Sequence, residues 1–327
     1  MSNSSFASRW AWADIDLGAV RNNVTALIAA NPSQQLWAVV KANAYGHGAV
    51  EVANAVLQAG ASGLCVALAD EALALRAAGI TAPVLVMSEQ PASQYTAMIE
   101  HDVIATLYNE TSIEQYANAA ATAKRTALVH LKIDTGMHRV GVGVDGALTA
   151  ATMITSQPSL QLDGVYTHLA TADDAAHLGA ALQLRRFAEV VDQLREAGIA
   201  PRHIHVANSA AAVRRLGSEL HTTMVRAGIA LYGIASDASS DSFGEPTSVV
   251  LQPVLSLKAR VSHVQWLDAG EAVSYGLRRP LSKRTCIATL PLGYADGVTR
   301  GLWNSGYVLI GGKRRPFAGV ITMDQVM

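Results

Sequence analysis

Two lysines, two arginines and a histidine stand at or just past the downstream ends of short apolar runs, where a strand would hand its side chains to a loop. Lys41 closes LWAVVK (36–41), with Tyr45 four residues later. Lys132 lies in ALVHLKI (127–133), with Arg139 in the loop beyond it, and His168 closes LQLDGVYTH (160–168). Asn208 and Ser209 follow HIHVA (203–207), and Arg226 closes TMVR (223–226), with Gly228 and Ile229 behind it. Cationic groups, hydroxyls and main-chain N–H groups of small residues together suit an anionic ligand such as a phosphate ester. Asp134 is the one acid among them. A lysine whose stem is buried beside arginines loses the ammonium form to desolvation and like charge, and its free amine attacks carbonyls. Lys41 in that setting would hold an aldehyde, and Ser209, Gly228 and Ile229 would take a phosphate. That pair of functions is the requirement of a pyridoxal phosphate site.

Each residue also has a plainer reading. A lysine at a strand end is usually solvated, a lone histidine in apolar surroundings is usually a hydrogen-bonded core group, and Gly46 and Gly48 by themselves mark a turn. His203 and His205 alternate on one strand face and could ligate zinc, but no third ligand or carboxylate is evident for them on neighbouring strands. Co-location is what favours a site, and co-location depends on the elements.

Further apolar runs at 63–68, 83–87 and 102–107 bring the total to eight, mostly continuous rather than alternating, as in strands buried on both faces. Helical patterns separate them. One carries Leu184, Phe187, Val191 and Leu194 on one face and Arg185, Arg186, Glu189 and Asp192 on the other, and stops at Gly198. Another, ADEALALRAAG, is closed by Gly79. Eight such units fit a (β/α)8 barrel, whose active sites gather at the C-terminal rim of the strands. A doubly wound open sheet shows the same alternation, because sequence does not reveal closure. After residue 233 the helical period stops. A Ser-, Asp- and Gly-rich segment (235–247) precedes strand-like runs that read as a small all-β domain. The expected division is a barrel domain at 1–238 and a β domain at 239–327, with the strand near 10–16 pairing into the latter.

Half of the 327 residues are hydrophobic, 16% are charged, and the net charge is −1, which leaves no basic footprint for nucleic acid. The N-terminus lacks the apolar core of a signal peptide, and no apolar run reaches the roughly 20 residues a bilayer demands. The expectation is a soluble cytoplasmic protein without membrane or nucleic-acid partners. Cys65 and Cys286, both in apolar runs, read as core residues of a reducing compartment.

The stretches VVKANAYGHG, LKIDTGMHRVG, YTHLATAD, ANSAA, VRAGIALYG, VSYG, LPLGYADG and MDQ occur in this order and span essentially the whole chain. Together they resemble the alanine racemases. The resemblance implies a pyridoxal phosphate-binding barrel followed by a β domain, in a homodimer whose active sites are shared between subunits. It implies interconversion of L- and D-alanine, with D-alanine supplied to peptidoglycan. Lys41 resembles the Schiff-base lysine and base on one substrate face, and Tyr275, in VSYG, the base on the other face, delivered by the partner subunit. Arg226 would face the pyridine nitrogen and, keeping its own proton, leave that nitrogen unprotonated. His168 would hold Arg226 and Tyr275 in register. Arg139 would reach the cofactor's phenolic oxygen and the substrate carboxylate, and Lys132 resembles the lysine whose carbamylation orients that arginine. Tyr45, Asn208, Ser209, Gly228 and Ile229 would bind cofactor, and Met323 and Asp324 would stand beside the substrate carboxylate.

Family members continue beyond GVITMDQVM through further strands, one bearing a tyrosine that contacts the phosphate. The β domain is therefore expected to be C-terminally incomplete, with an open edge. Other readings stay open: a serine or broad-specificity racemase, a cofactor carrier without turnover, and a decarboxylase of the same architecture. The decarboxylase would want an acid where Arg226 stands.

Overall fold

Asp16 ends the strand β1 (Ala11–Ile15) and starts the helix Leu17–Ala30 by accepting the N–H groups of Gly18 (2.8 Å) and Ala19 (3.0 Å). This side-chain cap satisfies donors that the first helical turn leaves unpaired. The computed structural model describes residues 9–234 and 249–327. The boundary expected at 238/239 and the polar segment 235–247 lie outside the described residues.

Strands follow where the apolar runs stood. β2 (Gln35–Val39) is buried from Leu36 onward, and β3 (Gly63–Val66), β4 (Val84–Val86) and β5 (Val103–Leu107) are buried throughout. Burial on both faces is what a parallel sheet under helices requires. β6 (Ala127–Asp134), the two-residue β7 (Val142–Gly143) that pairs with the end of β6, β8 (Leu160–Tyr166), β9 (His203–His205) and β10 (Met224–Ala227) continue the series. The strand order is β10-β2-β3-β4-β5-β6-β8-β9, with every pairing parallel.

In an open, doubly wound sheet β9 and β10 would be opposite edges. Here they meet: Thr223 N–H donates to the Ile204 carbonyl (2.8 Å) and Arg226 N–H to the Ala207 carbonyl (3.0 Å). The sheet is an eight-stranded barrel, and helices cover it. The helix Gly179–Glu196 buries Leu184, Phe187, Val191 and Leu194, and the chain leaves it through Gly198 at φ 76°.

Two compact units result. One is Asp16–Val254, and the other combines β1 with Leu255–Met327. In the second, β1 pairs antiparallel with β11 (Leu255–Ala259), and β12 (His263–Leu267) pairs with β13 (Thr285–Thr289). β14 (Tyr307–Ile310) and β15 (Lys313–Pro316) form a hairpin across Gly311 and Gly312, both at positive φ as such tight turns demand. Leu290, Leu292, Phe317, Ile321 and Val326 make this unit's core. Cys65 is buried, but Cys286 is exposed and corrects the expectation that it is a core residue. It stands on β13 next to the buried Ile287, so strand alternation turns it outward.

Candidate active site

Directly after β2 the backbone turns left-handed. Ala42, Asn43, Ala44 and Tyr45 take φ of 51°, 53°, 54° and 55°, although none is glycine. This conformation costs roughly 1–2 kcal/mol per residue with a Cβ. Its groups are tied down accordingly. Glu71 accepts the Ala42 N–H, Val40 the Ala44 N–H (2.9 Å), and the Asn43 side chain accepts the Ala49 N–H (2.8 Å). Gly46 and Gly48, at φ 85° and 93°, close the turn. The turn carries Lys41 and Tyr45 to the same side, with the Lys41 Nζ 6.0 Å from the Tyr45 ring centroid. Lys41 is half-buried. Tyr45 packs on Tyr232 (4.9 Å between centroids), and burial raises its phenol pKa.

Arg226, 2% exposed, is the deepest cation. Its Nη1 donates to His205 Nδ1 (2.6 Å), and its Nη2 donates to the Thr167 (2.9 Å) and Val206 (3.2 Å) carbonyls and to His168 Nδ1 (3.4 Å). Its Nε is buried and finds no partner among the described residues. Burial and the nearby Arg226 push His168 well below the usual histidine value, so the imidazole is neutral.

Lys132 is the amine that its surroundings depress, down to about 8. Burial is the main cause, and Arg226 and Arg139 add to it. Desolvation and like charge thus act together on Lys132, which lies inside a strand rather than past its end. Arg139 is exposed at the cavity mouth. The loop carrying it is shaped by Asp134, whose Oδ1 accepts the N–H groups of Gly136, Met137 and His138, each at 3.0 Å. Asp134 is therefore committed to its own loop.

Asn208 caps the helix Ser209–Arg214 by accepting the Ala211 N–H (3.1 Å), and donates to the Leu169 carbonyl (3.0 Å). Ser209 Oγ accepts the N–H groups of Gly228 (2.8 Å) and Ala230 (3.3 Å), so its own hydrogen is free to donate elsewhere. Lys41, Tyr45, Lys132, Arg139, His168, Asn208, Ser209, Arg226, Gly228 and Ile229 all line one cavity of about 500 Å³. Its charged side chains are four cations, Lys41, Lys132, Arg139 and Arg226, against one carboxylate, Asp173. An anion is the ligand such a field attracts.

Tyr275, Met323 and Asp324 lie on the other unit, all exposed. Ser274, at φ 67°, hydrogen-bonds the Val320 carbonyl and turns Tyr275 outward, 73% exposed. The Met323 carbonyl accepts the Ala295 N–H (3.0 Å) and the Thr322 carbonyl that of Tyr294 (3.0 Å), which fixes the loop bearing Met323 and Asp324.

Sequence reasoning passed over Tyr166. Its ring lines the cavity under the Arg226 guanidinium (5.0 Å) and stacks on His205 (4.6 Å, 9°), while its hydroxyl donates to the Met87 carbonyl (2.9 Å). It also passed over Asp163, whose signal was an acid inside an apolar run. Asp163 lies against His130 and His203, yet no group of three or more His, Cys, Asp and Glu among the described residues is arranged to hold a metal ion.

Compared with known proteins, the chain matches the family "Alanine racemase, N-terminal domain" over residues 15–236 and "Alanine racemase, C-terminal domain" over 254–327. It is 42% identical over 316 residues to the alanine racemase of Symbiobacterium thermophilum, covering 97% of this chain and 82% of that one. With the alanine racemase of Halalkalibacterium halodurans the identity is 43% over 321 residues, covering 97% and 81%. Among solved structures, the alanine racemase from Streptomyces lavendulae superposes with a TM-score of 0.88 at 38% identity, covering 98% of this chain and 83% of that one. The histidine racemase from Leuconostoc mesenteroides gives 0.87 at 28% identity, covering 98% and 84%.

Proposed function

The chain belongs to the alanine racemase family and is an amino-acid racemase, and from that premise we propose that it interconverts L- and D-alanine with pyridoxal phosphate by two bases on opposite faces of the substrate. Arg226 carries this reading: a buried guanidinium whose Nε–H lacks an acceptor among the described residues, in a cavity of cations, suits a ligand with a ring nitrogen at one end and a phosphate at the other. Ser209 Oγ–H, the Tyr45 hydroxyl and the start of the turn Ile229–Tyr232 would hold the phosphate, and Lys41 Nζ the aldehyde. When bound, the cofactor supplies a conjugated electron sink that makes the substrate Cα–H acidic.

The chain's own groups handle the proton. Lys41 Nζ takes or returns it at Cα on one face, and Tyr275 of the partner subunit on the other. Two bases spare the substrate from turning over between removal and return. An arginine does not surrender its proton, so Arg226 donates a hydrogen bond to the ring nitrogen without protonating it. By withholding that proton, Arg226 would limit side reactions. Arg139 would meet the substrate carboxylate, and Lys132, with its low pKa, is the amine suited to carbamylation. Met323 and Asp324 of the partner subunit would border the substrate.

This arrangement needs a homodimer. The β unit exposes Trp266 (62%), Val264 (55%) and Leu257 (47%), apolar surface that a second copy would cover. Among the described residues no helix is long and apolar enough to cross a membrane. We place the enzyme in the cytoplasm, supplying D-alanine to peptidoglycan. The test is conversion of L-alanine to D-alanine by cofactor-loaded protein. A panel of other L-amino acids belongs beside it, because a chain named a histidine racemase shares this fold. No turnover of alanine, with turnover of another amino acid, would reassign the substrate.

A further inference from the structure

Arg226 is held from behind by a line of buried polar groups. His205 Nδ1 faces Arg226 Nη1 at 2.6 Å, His205 Nε2 faces His130 Nδ1 at 3.0 Å, and His130 Nε2 faces Asp163 Oδ2 at 3.4 Å. Arg226 is 2% exposed, His205 and His130 0%, and Asp163 4%.

The polarity of the line follows from its ends. A guanidinium only donates, so His205 Nδ1 must be bare and His205 Nε2 must carry the hydrogen. That hydrogen points at His130 Nδ1, which must accept, leaving the His130 hydrogen on Nε2, toward the carboxylate. Arginine at one end and aspartate at the other thus demand the same tautomer of both histidines. Burial keeps both imidazoles neutral. Packing keeps the rings from turning over. A Cβ on Gly164 would lie 2.6 Å from the His130 ring, and His205 is stacked on Tyr166. Among the described residues no carboxylate stands within ion-pair distance of Arg226, so Asp163 is the negative end of the only such line that reaches it.

We propose that Asp163 and His130 are positioning residues, which act through His205 to fix the guanidinium of Arg226 so that its Nε–H stays free for the cofactor ring. Hydrogen bonds in series polarise one another, so a carboxylate at the far end strengthens the hold on Arg226 across the barrel interior. The inference rests on the reading that Arg226 faces the ring nitrogen.

Histidine-labelled (15N) full-length protein, examined by long-range 15N–1H spectroscopy with and without pyridoxal phosphate, tests the line directly. His130 and His205 should both be neutral Nε2–H tautomers at pH 8, and an Nδ1–H form of His205 overturns the proposal. Asp163→Asn should lower kcat on the order of tenfold with KM within about twofold, and shift the absorption band of the bound cofactor. Asp163→Glu should restore both. Wild-type kcat and band in Asp163→Asn, or equal damage from Asn and Glu, would overturn it. If Asp163→Asn does not fold, the tautomers of the wild type decide. Should Arg226→Ala leave the cofactor band unchanged, the reading of the site fails instead, and the tautomers measured without cofactor still judge the line.

Discussion

A Cβ on residue 228 would lie 2.6 Å from the hydroxyl oxygen of Tyr45. The need is for space, and the space belongs to the phenol that the left-handed turn delivers.

Gly228→Ala should therefore displace Tyr45. Pyridoxal phosphate binding should weaken by on the order of tenfold, or ~1.4 kcal/mol. A cofactor titration followed by absorbance, beside a thermal melt, separates weaker binding from lost stability. Unchanged affinity would detach Tyr45 from the phosphate.

Ala42 is exposed at φ 51°, so changes there probe backbone strain without disturbing packing. Glycine releases the Cβ clash, and valine adds a β-branch to it. Thermal midpoints should fall in the order Ala42→Gly, wild type, Ala42→Val, with steps of about 1 kcal/mol. A reversed order would mean that the left-handed turn is not what this position adopts.

Lys132 makes stability depend on pH. Its folded value of about 8 lies below the ordinary 10.5, so the unfolded chain binds the extra proton between those values. Stability then rises with pH through that window, and the cost of the buried charge is present in full below it. In CO2-free buffer Lys132→Met should be more stable than wild type at pH 7, with the gap closing toward pH 10.5. Melts at four pH values would show it, and a gap independent of pH would refute it.

Tyr275→Phe should slow racemisation by roughly 10²–10⁴-fold, the usual weight of a positioned base. Solvent exchange of the α-proton should survive for one enantiomer of alanine and fail for the other, because Lys41 still serves its own face. Exchange of both enantiomers at wild-type rate would remove Tyr275 from the mechanism.

The rim residues were legible because a barrel sends every strand end to one side. Lys41, His168 and Arg226 needed only their positions at the ends of apolar runs. The left-handed turn was not legible, since Ala42, Asn43 and Ala44 carry no local sign of positive φ and are held there by distant groups such as Glu71. The depression of Lys132 was not legible either. Desolvation of Lys132 comes from burial within the barrel and from Arg226, on another strand. The line from Asp163 to Arg226 crosses four strands, and no spacing within any one of them announces it. Cys286 went astray because an apolar run does not tell which side of an isolated two-stranded ladder is covered.

The seam between β9 and β10 has a consequence for biosynthesis. β10 must return to pair with β2, placing Arg226 beside Trp37, before the circle of strands is complete. Lys41 emerges early from the ribosome and Arg226 late, so no shorter nascent chain can present both. Pairing across such sequence separation is slow, because loop-closure entropy comes due before the contacts that reward it. A cofactor held as proposed, between Lys41 and Arg226, would therefore meet a barrel that has already closed. Its capture would then report that the seam has formed.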